Sequence, residues 1–200
     1  MVVPPLLGDG KGNFRIHLRG NCGTGKTTTG NLLSAVLGIP YFALDELFWR
    51  PNWGETPRDV FRDKVSSVIE QHESWIIDGN YNSRLGDTVS GAATDVIWLD
   101  PPLLLYFSRL VRRSFGRVLN PSRYPPCQEG CMESIRDILT PSDKSILYFA
   151  LSHHWAVKRF NRAKMTEFGV DLGGKWRRLG GWGREREEWL AAVTKMVKDR

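Results

Sequence analysis

Long apolar runs are missing from the sequence, and their absence argues against a membrane-spanning helix. The longest apolar cluster, ILYFAL at 146–151, is ended by Ser152, His153 and His154, far short of the roughly 20 residues that a span requires. Residues 1–13 contain neither a basic leader nor an extended apolar segment, so they predict a flexible tail and no secretory signal. Cysteine is scarce, with three residues in the chain, which is typical of reduced thiols. We therefore expect a cytoplasmic protein without a membrane partner.

Acidic residues are missing from residues 101–128, although the overall charge is ordinary. The net charge is +6, and charged residues make up 25% of the sequence. All five basic residues of this stretch are arginines: Arg109, Arg112, Arg113, Arg117 and Arg123. Such a block favours a polyanionic partner, either nucleotide phosphates or a nucleic-acid backbone. A solvated basic face is the alternative interpretation.

Strand-like and helical segments alternate along the chain. Runs rich in apolar and β-branched residues predict strands at 14–20, 40–45, 74–79, 94–100 and 175–181. Two of them are continuously apolar, which is typical of a sheet that is covered on both faces. The recurrent strand–helix order predicts an α/β fold with a parallel sheet. At 200 residues the chain suffices for one domain, which we place at 14–200.

A phosphate-binding loop follows the first strand. GNCGTGKT at 20–27 matches the P-loop pattern G-x-x-x-x-G-K-[ST], and a helical pattern begins directly after it. Lys26 is expected to bind the β- and γ-phosphates of ATP, and the Thr27 hydroxyl to ligate Mg²⁺. The expected cofactor-binding residues are Gly20, Asn21, Cys22, Gly23, Thr24, Gly25, Lys26, Thr27 and Thr28. A glycine-rich turn with an accidental lysine is a poor alternative in this strand–loop–helix context.

Several classes of P-loop protein do not fit the rest of the sequence. No NKxD-type guanine signature follows the loop, the chain is too small for a helicase core, and no transporter signature is present. A compact kinase for a small acceptor remains.

Three further blocks carry a resemblance to a known family. They are LDELFWRPNW at 44–53, WIIDGNY at 75–81 and VIWLD at 96–100. Together with the P-loop, they resemble the adenylate-kinase-related bacterial proteins known as DNA topology modulation proteins. The resemblance implies a P-loop NTPase fold with a five-stranded parallel sheet flanked by helices. It also implies an acceptor-binding segment after the second strand and a mobile arginine-rich lid at about 117–140.

Two aspartates are candidate catalytic residues. Asp78 ends a strand beside the P-loop strand, where a carboxylate can reach the metal, and the resemblance implies a Mg²⁺-holding role for it. Capping of the turn at Gly79 is the alternative. Asp45 opens the acceptor region, where an acid can orient an acceptor hydroxyl or accept its proton. A helix-capping role remains open for Asp45.

The acceptor-binding candidates are Asp45, Trp49 and Arg84. Trp49 could stack on a planar acceptor, as could its neighbours Phe48 and Trp53, although aromatic residues are more often part of a core. Arg84 could clamp an acceptor phosphate. Asn80-Tyr81 replaces the aromatic-proline-arginine run that is usual in monophosphate kinases, which leaves the acceptor class open.

The resemblance implies that arginines leading into the lid neutralise the transferring phosphoryl group. Arg113 and Arg117 are the candidates for this catalytic role, and Arg109 is expected to be structural. Cys127 and Cys131 also fall in the expected lid. A zinc site there is disfavoured, because only the adjacent His153 and His154 could complete it.

The sequence thus predicts an ATP- and Mg²⁺-dependent kinase for a small molecule, with a nucleoside or nucleotide as the expected acceptor. Two alternatives remain: a nucleotide-dependent nucleic-acid-binding or regulatory protein, and an ATPase in which water is the acceptor.

Overall fold

The computed structural model describes residues 3–124, 130–131, 134–140 and 145–199. Its main sheet has five parallel strands in the order β2-β5-β1-β6-β7. These strands are β1 Arg15–Arg19, β2 Tyr41–Ala43, β5 Trp75–Asp78, β6 Asp95–Leu99 and β7 Trp176–Leu179. A small antiparallel hairpin is formed by β3 Trp49–Arg50 and β4 Gly54–Glu55. The α/β fold with a five-stranded parallel sheet, expected from the sequence, is confirmed.

Helices flank both faces of the sheet. Within the described residues they are α1 Lys26–Leu37, α2 Leu44–Phe48, α3 Arg58–Gln71, α4 Asn82–Leu85, α5 Thr88–Ala92, α6 Leu103–Leu119, α7 Ile135–Leu139, α8 Ile146–Ser152, α9 His154–Phe168 and α10 Arg184–Lys198. No helix in the described ranges is long and apolar enough to cross a membrane.

The strand side chains alternate between two buried layers. Ile16 and Leu18 of β1 pack in a cluster with Leu33 of α1 and with Trp189 and Val193 of α10. The opposite face packs against α3, α5 and α9 through a second cluster. His17 and Arg19 alternate with Ile16 and Leu18 along β1 and are also buried. The P-loop directly follows β1, which is the central strand of the sheet.

The N-terminal segment is part of the folded domain. Leu6 is 2% exposed and belongs to the α1/α10 cluster. The buried Asp95 carboxylate accepts hydrogen bonds from the backbone N–H groups of Leu7 and Gly8 at 2.7 and 3.1 Å. The Trp189 indole donates to the Pro5 carbonyl at 2.8 Å. The flexible tail that we expected over 1–13 is thus wrong for residues 5–8, because Leu6 fills a gap in the core and Asp95 requires donors.

The region of the expected lid is described only in part. α6 continues to Leu119, so Arg117 lies within a helix, and α7 is a short helix of five residues. Cys127 lies outside the described residues, so the disfavoured zinc site is not tested at that position. Cys131 is buried, with its Sγ 3.5 Å from the Arg50 carbonyl oxygen. In the described part of the chain, no cluster of His, Cys, Asp and Glu side chains could hold a metal ion.

Candidate active site

The loop at residues 20–25 joins β1 to α1 with the backbone conformation that a P-loop needs. Gly23 has φ +80°, and a Cβ there would lie 2.8 Å from the Tyr106 carbonyl oxygen of α6, so only glycine fits. The Lys26 Nζ lies over the loop and donates to the carbonyls of Gly20 and Asn21 at 3.1 and 3.2 Å. α1 begins at Lys26 and directs its free N–H groups and positive dipole end to the same place. The local geometry suits a phosphate anion.

Asp78 and Thr27 lie together at the carboxyl end of β5. The Thr27 hydroxyl is 3.4 Å from Asp78 Oδ2, and the Tyr41 hydroxyl donates to the same oxygen at 2.5 Å. Burial raises the pKa of Asp78, while the charge of Lys26 opposes that shift. One carboxylate and one hydroxyl are a donor set that fits Mg²⁺, which retains several waters when it binds with nucleotide phosphates.

The residues that follow Asp78 connect the P-loop to Asp45. Asn80 forms two hydrogen bonds with Gly20: its Oδ1 accepts from the Gly20 N–H at 3.3 Å, and its Nδ2 donates to the Gly20 carbonyl at 2.9 Å. The Tyr81 hydroxyl donates to Asp45 Oδ1 at 2.7 Å. Asn82 Oδ1 accepts from Arg19 at 2.5 Å. We call residues 78–82 the linking segment.

Asp45 lies close to both the metal candidate and the P-loop. It stands in the first turn of α2, because β2 ends at Ala43 and not at Asp45 as the sequence suggested. Ala43, the last residue of β2, pairs with Asp78 of β5. Asp45 follows Ala43 by two residues, and its Oδ1 is bonded to the Tyr81 hydroxyl, three residues after Asp78. The two aspartates that the sequence singled out therefore share one site with the P-loop.

Arg84 and Trp49 lie beside this site in a cluster of aromatic side chains. The Arg84 guanidinium pairs with Glu55 at 2.5 Å and lies 5.3 Å from the centre of the Phe48 ring. Trp49 is half-buried and packs edge-to-face against Phe48 and Trp53, with ring centres 4.9 and 5.3 Å apart. The pairing with Glu55 holds Arg84 in place, and the aromatic contacts give Trp49 a packing role whether or not it meets a ligand.

α6 brings the expected lid arginines toward the loop. Asn21 Nδ2 donates to the Tyr106 hydroxyl at 3.0 Å and to the Ala150 carbonyl at 2.7 Å, so the loop is fastened to α6 and α8. The positive charge of Arg113 acts on the Cys22 thiol and lowers its pKa, against the larger raising effect of burial. Arg117 lies one turn further along α6 and is half-buried. Both arginines therefore lie on α6, the helix to which the P-loop is fastened.

A basic concavity lies on α9, close to the linking segment. Its volume is about 260 Å³, and it is lined by Trp155, Lys158, Arg159 and Arg162. Lys158 also pairs with Asp100 at 3.7 Å. Asn161, which precedes Arg162 on the same helix, accepts a hydrogen bond from Arg19 at 3.0 Å.

Sequence reasoning missed several residues that build this site. Tyr41 gives no signal, since an aromatic residue in a short strand is ordinary. Asn80 and Tyr81 stand out in the sequence only as a departure from a family pattern. Arg19 is 2% exposed, and its guanidinium carbon lies 5.0 and 5.4 Å from the ring centres of Phe160 and Trp176. In the sequence, the only signal for Arg19 is a basic residue at the end of a strand that is expected to be buried.

Two observations indicate that the site fits a nucleotide. The Lys26 ammonium lies over the loop and α1 begins there with its free N–H groups, so a cation and backbone donors converge on one place. Next to the loop, the Nε of Arg186 is buried and has no hydrogen-bond partner among the described residues. An unpaired buried donor beside a P-loop is accounted for by an anion that binds there.

Comparisons with known proteins place this geometry among P-loop proteins. A putative kinase from Chloroflexus aurantiacus is 17% identical, with a TM-score of 0.51 over 94% of this chain and 98% of that one. The chain has the P-loop NTPase fold. A shikimate kinase from Bacteroides thetaiotaomicron is also 17% identical, with a TM-score of 0.48 over 93% of this chain and 96% of that one. No family model matches the sequence.

A curated relative is similar in sequence over part of the chain. It is a shikimate kinase from Persephonella marina, 32% identical over 108 residues, which cover 47% of this chain and 65% of the relative. The match thus spans just under two thirds of that protein's length. It supports a relationship to P-loop kinases and not the narrower resemblance to DNA topology modulation proteins.

Proposed function

We propose that this chain is an ATP-dependent, Mg²⁺-requiring kinase that transfers the γ-phosphate of ATP to a hydroxyl group of a small acceptor. The observation that carries the proposal is the convergence of Lys26, Asp78 and Asp45 at one edge of the sheet. Lys26 lies on the P-loop, Asp78 contacts Thr27, and Asp45 follows β2, whose last residue pairs with Asp78. A phosphate cradle, a metal carboxylate and a second carboxylate for the acceptor are the parts that phosphoryl transfer needs.

The chain's own residues take separate roles in this proposal. Residues 20–28 hold the ATP phosphates, with Lys26 on the β- and γ-phosphates, and Thr27 and Asp78 hold Mg²⁺, which neutralises phosphate charge when bound. Asp45, fixed by the Tyr81 hydroxyl, orients the acceptor hydroxyl and accepts its proton. Arg113 and Arg117 neutralise the transferring group from the α6 side. Catalysis then rests on positioning and charge neutralisation.

For the acceptor, we propose a small hydroxylated carboxylic acid. The name of the Persephonella marina relative supports this class, and so does the Arg84–Glu55 pair. The Arg84 guanidinium, which pairs with the Glu55 carboxylate at 2.5 Å, supports this class because the same group is suited to bind an acceptor carboxylate. A nucleoside or nucleotide is the second candidate. It is favoured by the aromatic group Phe48, Trp49 and Trp53 next to Arg84.

The test is release of ADP from Mg·ATP with different acceptors. The panel contains shikimate, gluconate, pooled nucleosides, pooled monophosphates, duplex DNA and no acceptor. Lys26→Ala is the blank, and Lys64→Ala, which removes an exposed lysine on α3, is the matched control. Turnover that a hydroxy acid stimulates, and that only Lys26→Ala abolishes, supports the proposal. Stimulation by nucleosides or monophosphates alone favours the second candidate, and a response to DNA alone overturns the kinase proposal.

Variants of the acceptor side refine the result. Asp45→Asn is expected to lower kcat strongly and to leave ATP affinity near that of the wild type. Arg84→Gln is expected to raise the KM of an anionic acceptor about tenfold or more, because it removes a charge-assisted pair. An unchanged acceptor KM in Arg84→Gln would remove Arg84 from the acceptor site.

A further inference from the structure

Arg186 lies against the P-loop, although it is far from the loop in the sequence. It is the third residue of α10 (Arg184–Lys198). A Cβ built on Gly25, the residue before Lys26, would lie 3.0 Å from the Arg186 Nη1. Gly25 has φ +96° and no side chain, and the guanidinium uses the space that this leaves.

The guanidinium of Arg186 has no anionic partner in the described part of the chain. No ion pair joins it to a carboxylate there, and its Nε is buried without a hydrogen bond. The neighbouring Arg184 is different: its side chain is 89% exposed and pairs with Glu188 at 2.7 Å. Of two arginines on one helical turn, the one beside the P-loop is thus the one that lacks a partner.

The local electrostatic field makes an unpaired cation at this position unfavourable. Arg186 lies in the first turn of α10, and Gly25 caps the N-terminus of α1. Both helix ends carry partial positive charge, and Lys26 adds a full charge. Arg186 is half-buried, and its Nε is buried without a hydrogen bond, so an anion that binds there would stabilise the guanidinium among these three sources of positive potential.

The sheet order indicates which part of a nucleotide reaches Arg186. Asp45 and Asp78 follow β2 and β5, on one side of the P-loop strand, whereas α10 follows β7 at the opposite edge. The γ-phosphate must lie toward the two aspartates if it is to be transferred. The α-phosphate then lies toward α10.

We propose that Arg186 binds the α-phosphate of the nucleotide and is a binding residue that the P-loop motif does not include. The inference rests on the proposed nucleotide site, since it names a further residue of that site. It requires no chemistry at Arg186. The guanidinium supplies a charge-assisted hydrogen bond from the side opposite to the metal candidate.

The test is calorimetric binding of three ligands to the full chain: ADP, β,γ-imido-ATP and inorganic tripolyphosphate. Arg186→Gln is compared with Arg184→Gln, which makes the same charge change on the same turn. Loss of one charge-assisted contact is expected to weaken all three ligands by a similar factor of about 10 to 100, whereas Arg184→Gln stays within about twofold of the wild type.

Four outcomes would overturn the inference. The first is that Arg186→Gln binds all three ligands within about twofold of the wild type, and the second is that Arg184→Gln loses as much affinity as Arg186→Gln. The third is that Arg186→Gln loses affinity only for the two adenine-containing ligands, and the fourth that it loses affinity only for imido-ATP. The third would indicate stacking on the base, and the fourth a γ-phosphate contact. Lys26→Ala separates this inference from the proposed function. If Lys26→Ala binds ADP as tightly as the wild type, the proposed nucleotide site is refuted. If Lys26→Ala loses affinity for ADP while Arg186→Gln does not, only the inference about Arg186 fails.

Discussion

Replacement of Gly30 in α1 by alanine should destabilise the protein, although a glycine-to-alanine change in a helix usually stabilises it. At an open helical position this change stabilises by about 0.8–1 kcal/mol. A Cβ on Gly30, however, would lie 2.3 and 2.5 Å from Cε2 and Cδ2 of the Tyr41 ring, about 1 Å inside normal contact. The ring cannot shift freely because its hydroxyl is bonded to Asp78 Oδ2 at 2.5 Å. Overpacking of this kind costs about 1–3 kcal/mol, so we expect a net destabilisation of about 1 kcal/mol.

The assay for Gly30→Ala is urea unfolding, with the thermal midpoint as a second measure. A loss of about 1 kcal/mol should lower Tm by about 2–4 °C for a chain of this size. Gly91→Ala is the matched control, because Gly91 lies on α5 with nothing within 4 Å of its Cβ position, and it should raise stability slightly. Moving Tyr41 also disturbs Asp78, so Mg²⁺ should enhance ADP binding less in Gly30→Ala than in the wild type. A Gly30→Ala protein as stable as the wild type, or more stable, would refute the reasoning.

Two further predictions concern Asn80 and His17. Asn80→Ala removes both hydrogen bonds to Gly20 and should weaken ADP binding about tenfold by calorimetry. The control Asn31→Ala, at an exposed position of α1, should leave the ADP affinity unchanged. Equal affinities in the two variants would contradict the prediction. Burial, assisted by the charge of Arg19, lowers the pKa of His17 from 6.5 to about 3, so between these pH values the unfolded chain binds a proton that the native chain does not. Stability from this group is complete above about pH 6.5 and falls as the pH falls, by about 2 kcal/mol at about pH 5. The free energy of unfolding of His17→Gln should lack this part of the pH dependence. If it has the same pH slope as that of the wild type, His17 is not buried in the neutral form.

Features that depend on local pattern were predictable from the sequence. The P-loop requires glycines, a lysine and a threonine at fixed spacing, so the letters GNCGTGKT are sufficient to identify the loop. The two strands on either side of β1 are largely apolar because both faces of the sheet are covered, and β5 and β6 were correctly predicted for that reason. Asp78 was selected because it ends such a strand next to β1.

Features that depend on distant contacts were not predictable. Leu6 enters the core and its neighbours bond to Asp95, far along the chain, so a proline- and glycine-rich stretch that looked like a tail is ordered. Arg186 reaches Gly25 only because α1 and α10 pack on the same face of the sheet. The order of strands in the sheet decides both contacts, and no local periodicity encodes that order.

The linking segment shows why an atypical sequence can build a typical site. Asn80-Tyr81 replaces the aromatic-proline-arginine run that is usual in monophosphate kinases, and that departure left the acceptor class open. In the structure these two residues have opposite partners: Asn80 bonds to the first glycine of the P-loop, and Tyr81 to the acceptor-side Asp45. With Asp78 on Thr27 and Asn82 on Arg19, neighbouring side chains at the end of one strand bond to the P-loop, α1, α2 and β1. A proline at position 80 would lack the amide that bonds to Gly20, so Asn80 adds to the contacts of Asn21 that fasten the P-loop here.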